Sequence, residues 1–193
     1  MPLSPARMGD AILRNLAPKT GRSLEHWLDL LHQSGAEGKP AAIAHLKSAG
    51  LGHFQAQKVY EASIGDDPYG DPEALAAALF PGGLREAYAA FAKTCHALGD
   101  DVREIQCRTY AGFSAATQFA IVAPGSEGGL RVGLALRQDA VAQPRLADVV
   151  APAYGLGGSA RVNAAFELPD AGVPTAAQRA VLTEAYRYNR ARA

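Results

Sequence analysis

The sequence predicts an α+β protein: a small helical N-terminal module, then an antiparallel β-sheet covered by helices that flank it on both sides. Three observations predict this. Apolar residues recur at helical spacing as far as Leu98. Beyond Val102 the period drops to two, with Leu130, Val132, Leu134 and Leu136 alternating with Arg131, Gly133, Ala135 and Arg137. Helical spacing returns after Thr175. A block of strands between helices makes a layered domain with a buried sheet face.

The first stretch, 8–16, predicts a short helix ended by Pro18. Ser23 is placed to cap the next helix, whose Leu24, Trp27, Leu28 and Leu31 share one face, and Gly35 follows as a left-handed stop. Pro40 suits the first turn of a helix carrying Ile43, Ala44 and Leu46, closed by Gly50. A third helix over 53–62 carries Phe54, Ala56, Val59 and Tyr60 as its apolar set. The run SIGDDPYGDP that follows has no apolar period, so it reads as a linker. The expected division is a helical module at 1–62, a linker at 63–72 and a sheet module at 73–193.

Asp71 and Pro72 open a short helix with Leu75, Leu79 and Phe80 inward, and PGG at 81–83 breaks it. The helix over 84–98 is strongly amphipathic, through Leu84, Ala87, Tyr88, Phe91, Cys95 and Leu98. Strands are expected from Val102, at 110–113, at 118–122 and at 130–136, with turns at 114–117 and 124–129. Residues 137–144 read as a loop, 145–150 as a helical turn or short strand, and 153–161 as a Gly-rich turn. Val162, Ala164, Phe166 and Leu168 form the last strand. Thr175 and Gln178 make a capping box for a C-terminal helix carrying Val181, Leu182, Ala185, Tyr186 and Asn189. The expected core is Trp27, Tyr88, Phe91, Phe119, Val132, Leu134, Phe166 and Leu182.

Bulk chemistry narrows the function classes. Net charge is zero over 193 residues, so the whole chain offers no electrostatic pull toward nucleic acid or membrane. Residues 1–62 carry 7 Lys/Arg against 5 Asp/Glu, 63–101 carry 2 against 7, and 102–193 carry 10 against 7. Offsets this small read as solvated surface. Two cysteines, Cys95 and Cys107, are too few for a disulfide framework and read as small core residues. With neither an apolar leader core nor a membrane-length apolar run, a cytoplasmic setting is expected.

No cofactor or metal is expected. The Gly-rich 153–161 lacks the Lys-Ser/Thr of a phosphate loop, and the five histidines form neither HxxxH nor HExxH. Asp66, Asp67 and Asp71 lack calcium-loop spacing and suit turns and caps. Cys95 and His96 are adjacent on a helix, so their side chains diverge. Two surfaces carry candidate contacts. Tyr110, Gln118 and Arg131, with Arg137, belong to the polar face of the sheet, and Arg161 joins them as polar lining if a pocket opens between sheet and helices. Lys39, Lys47 and Lys58 decorate the helical module, few for phosphate binding but the basis of a nucleic-acid reading.

Two stretches resemble known families. Thr20-Gly21, Ser23-Leu24, Trp27, Leu46-Lys47 and Gly50-Leu51-Gly52-His53 are similar to domain of unknown function 4287, a small bacterial helical module. From about Leu84 onward, Tyr110, Phe113, Gln118-Phe119-Ala120, Leu130-x-Val132-Gly133-Leu134 and Ala185-Tyr186 resemble domain of unknown function 5655. The resemblance implies a two-module cytoplasmic bacterial protein and brings no reaction or catalytic residue with it. The expected function is non-enzymatic binding of a protein or small-molecule partner, with no membrane role. The alternatives are a small-ligand protein or enzyme with a pocket between sheet and helices, and nucleic-acid docking by the helical module.

Overall fold

The computed structural model describes residues 5–66, 69–126, 128–141, 143, 146, 148–153, 156, 161–168 and 172–192. The chain divides into two compact units, Leu3–Gly70 and Asp71–Ala193.

The first is the helical unit, built from α1 (Pro5–Arg14), α2 (Leu16–Thr20), α3 (Leu24–Ser34), α4 (Gly38–Ser48) and α5 (His53–Ser63). Pro18 does not stop a helix, as the sequence suggests; it lies inside α2. In the first turn of a helix its missing N–H has no intrahelical acceptor to lose. Thr20 ends α2 by turning its hydroxyl back to the Leu16 carbonyl at 2.8 Å, and it accepts the Trp27 indole N–H at 3.2 Å. Gly21, at φ +73°, gives the left-handed exit that aims the chain into α3. Ser23 then caps α3 by accepting from the His26 N–H. Trp27, Leu31, Leu46, Ala56 and Val59 close a small core. Phe54 does not join it and is 72% exposed. It precedes the inward Ala56 by two residues, about 200° around the helix.

The sheet unit runs α6 (Pro72–Leu79), α7 (Gly83–His96), β1 (Arg103–Gln106), β2 (Ala111–Ser114), β3 (Gln118–Pro124), β4 (Leu130–Leu134), α8 (Gln138–Val141), β5 (Ala151–Pro152), β6 (Ala164–Leu168) and α9 (Ala176–Arg190). The six strands pair antiparallel in the order β1-β2-β3-β4-β6-β5. The fold class is therefore α+β as predicted. The predicted loop at 137–144 contains α8, and the predicted turn or strand at 145–150 is described only at Leu146 and 148–150. β5, two residues ending in Pro152, is too short to show a period in sequence. Of the Gly-rich 153–161, only Ala153, Leu156 and Arg161 are described.

One face of the sheet meets the helices. Ala111, Phe113, Ala120, Val122, Val132, Leu134 and Phe166 point there, consistent with their cross-strand register. Phe91 of α7 meets Phe113 edge-on at 5.7 Å, and Tyr186 of α9 meets Phe119 at 5.5 Å. All eight predicted core residues are buried. Cys95 is enclosed, but Cys107 is only half-buried, because β1 ends at Gln106 and Cys107 lies in the turn beyond.

A bulge decides what the other face carries. Phe113 pairs with Ala120, and Ser114 pairs with Gln118, leaving Phe119 as an extra residue on β3. Strict alternation from Ala120 would send Gln118 toward the helices. With the bulge, Phe119 turns into the core and Gln118 faces outward.

Candidate functional site

On the outward face, Ile105, Gly112, Ile121, Gly133, Ala165 and Ala151 form one cross-strand row. This row is closely covered at its middle. A Cβ at Gly133 would lie 2.7 Å from Val162 Cγ1 and 2.8 Å from Leu156 Cδ2, so only glycine leaves room for those side chains. At the β2 end, Gln118 and Tyr110 lie over Gly112: a Cβ there would stand 2.8 Å from the Gln118 Nε2 and 3.6 Å from Tyr110 Cε2. Arg131 faces the same way. It pairs with Ala123 and Glu167, and its guanidinium lies 3.4 Å from the Glu167 carboxylate. Both are well exposed, so this pair adds little stability.

Tyr110, Gln118 and Arg131 therefore share one face. Arg161 is exposed just before the last strand. Arg137 is turned to Asp139. Because Gln118 and Arg131 point away from α7 and α9, they do not line a space between sheet and helices, as the pocket reading requires. Phe91, Phe113, Phe119 and Leu182, all buried, fill that space. Near the same patch, burial pushes the Cys107 thiol up, and a hydrogen bond with Tyr110 draws it partly back.

A second polar cluster, which the sequence reading missed, sits where α7 meets β1. The Glu104 carboxylate accepts from the Tyr88 hydroxyl, lies 2.9 Å from His96 Nε2, and accepts from the Gln106 amide at 2.6 Å. The Gln106 amide also donates to the Tyr88 oxygen. Phe80 stacks flat on Tyr88 at 4.2 Å. Burial, and the hydrogen bond to Glu104, push the Tyr88 phenol far up, so it stays a neutral donor. Its neighbour Cys95 is enclosed, and burial pushes that thiol up too, which keeps it protonated and unreactive. The signal was present: Tyr88 and His96 are eight apart on α7, and Glu104 and Gln106 alternate on β1. Only the packing of α7 against the sheet brings the two pairs together. A carboxylate holding three donors closes the polar edge of the core, with the His96 imidazole half-exposed beside it.

In the helical unit the three lysines separate. Lys58 Nζ lies 2.6 Å from the Glu61 carboxylate and Lys39 Nζ lies 3.8 Å from it, while Gln57 donates to it at 2.8 Å. Glu61 is 3% exposed. Burial pushes its carboxyl up, but hydrogen bonds from Lys58 and Gln57 and the charges of Lys58 and Lys39 outweigh this, and the group ends below its usual range. Lys47 is exposed. Among the described residues, no three His, Cys, Asp or Glu side chains gather as a metal site, and no helix is long and apolar enough to cross a membrane.

The family described as Domain of unknown function (DUF5655) matches residues 76–189. No curated protein and no solved structure matches the chain.

Proposed function

This chain belongs to the family described as Domain of unknown function (DUF5655), and we propose that it is a non-enzymatic binding protein whose contact patch is the outward sheet face at Tyr110, Gln118 and Arg131. One observation carries the reading: the bulge at Phe119 turns Gln118 out of the core and beside Tyr110 over Gly112. Bulges re-aim side chains, and this one assembles an aromatic ring, an amide and, two strands along, a guanidinium on a rigid support. Arg161 is the fourth contact we assign to the partner.

The resemblance of the helical unit to domain of unknown function 4287, and a bacterial, cytoplasmic setting, stay part of the proposal. For the helical resemblance the support is that Trp27 donates to Thr20, Gly21 ends α2 in the left-handed conformation and Ser23 caps α3. Such residues mark a fold and not a reaction. Nucleic-acid docking is the weaker reading, because Lys58 and Lys39 are committed to Glu61.

A thermal-shift screen of the purified chain against metabolites tests the proposal, since anything that binds the native state raises its stability. A stabilising hit should lose its effect in Gln118→Ala and in Arg131→Ala. A hit that the protein chemically converts, or whose stabilisation both variants retain, contradicts it.

A further inference from the structure

The helical unit carries an apolar groove that the sheet patch does not account for. Its first wall is α1, where Met8, Ala11 and Ile12 stand on one helix face. The opposite wall is the first turn of α5, with His53 and Phe54, and the cleft between them measures about 520 Å³. Met8 is 52% exposed and Phe54 72%, two of the four large hydrophobics left exposed among the described residues, and both line this groove. Lys19 stands at the rim with no carboxylate among the lining residues. At the other wall the Gln55 amide oxygen accepts from the Gly52 N–H at 2.9 Å and closes the start of α5, which leaves Lys19 as the charged side chain of the lining.

We propose that this groove binds an amphipathic helix of a partner protein, with apolar anchors at i, i+3 and i+4 and a carboxylate beside them. Two helical walls with an open trough between them fit the helix-in-groove mode, in which the anchors supply the affinity. The Lys19 ammonium, with no carboxylate among the lining side chains, favours an acidic flank. A nucleic acid would find one lysine and an apolar floor here, too few cations for its phosphates. This assignment holds or fails independently of the sheet patch.

The test uses the full chain and a labelled synthetic helix with Leu at i, i+3, i+4 and i+7 and Glu at flanking positions, compared with a twin carrying Lys in place of Glu. Fluorescence anisotropy should show the Glu peptide binding about tenfold more tightly than its twin, and Phe54→Glu should weaken it by about tenfold or more. Lys19→Glu should reverse the preference toward the Lys peptide. Both residues are exposed, so Trp27 fluorescence should confirm that each variant folds. Equal binding of the two peptides, or unchanged binding by Phe54→Glu, overturns the proposal. So does a wild-type chain that sediments as a dimer while Phe54→Glu sediments as a monomer, since the occupant would then be a second copy.

Discussion

The helical unit and the sheet unit solve burial in opposite ways. Among the described residues, the helical unit encloses eight apolar side chains, buries a charged carboxylate among lysines, and leaves Phe54 and Met8 in solvent. The sheet unit encloses thirty-three among the described residues and seals Phe91, Phe113 and Phe119 between sheet and helices. Buried area grows faster than chain length, so a small unit has little apolar surface to spend on stability. The larger unit can afford a bulge that points a polar side chain outward; the smaller one depends on an ion pair and offers its spare apolar surface to a partner.

The sharpest way to break this comparison is to damage one unit and watch the other. Phe91→Ala removes a fully enclosed ring from the sheet unit and should cost about 3–5 kcal/mol. The chain has a single tryptophan, Trp27, so its fluorescence reports on the helical unit alone. The circular-dichroism melt should drop while the Trp27 transition stays in place. Both transitions falling together would mean that the units share one stability.

The ion pair comes next. Lys58→Ala leaves Glu61 enclosed with its nearest cation gone, which should cost about 3 kcal/mol, seen this time in the Trp27 melt. The same pair sets an acid response. The folded Glu61 carboxyl titrates below its unfolded value, so its contribution is complete above the ordinary carboxylate range and drains away as pH falls through the folded value. Acid titration of Trp27 fluorescence should therefore be steeper in wild type than in Glu61→Gln. An equal slope would place the acid sensitivity elsewhere. A nucleic-acid test should use Lys47→Ala, because Lys58→Ala would confuse lost binding with lost folding.

A smaller effect sharpens the outward face. Gly133→Ala must push Val162 and Leu156 aside and should cost about 1–3 kcal/mol, read by chemical denaturation. An unchanged midpoint would mean that the cover over Gly133 is loose.

Much of this fold is legible in sequence, and the exceptions have physical causes. The alternation of Leu130, Val132 and Leu134 with Arg131 and Gly133 shows β4 because the three large apolar side chains are buried together while Arg131 between them is exposed. Thr175 and Gln178 announce α9 because their capping bonds span three residues, and both form. The Phe119 bulge is invisible because it depends on the partner strand: every residue from Phe119 to Val122 is apolar, so no pattern marks the extra one. Glu104 meets Tyr88 across 16 residues and Glu61 meets Lys39 across 22, distances over which sequence spacing gives no geometry. Tyr110, Gln118 and Arg131 could be named as polar positions, but their common face depends on the register. Phe54 reads as core by type; only the helix phase fixed by Ala56 and Val59 shows that it is not.

The central claim is that the sheet unit offers a contact patch on one face while its opposite face is consumed by packing. Its most direct test is one experiment on the Gln118→Ala, Arg131→Ala double variant: its melting temperature, with and without a ligand that stabilises wild type. The double variant should melt close to wild type without ligand, because neither side chain belongs to the core, and should lose the ligand's stabilising shift. A variant that melts far below wild type yet keeps the full shift would contradict the claim, since those residues would then hold the fold and leave binding to another surface.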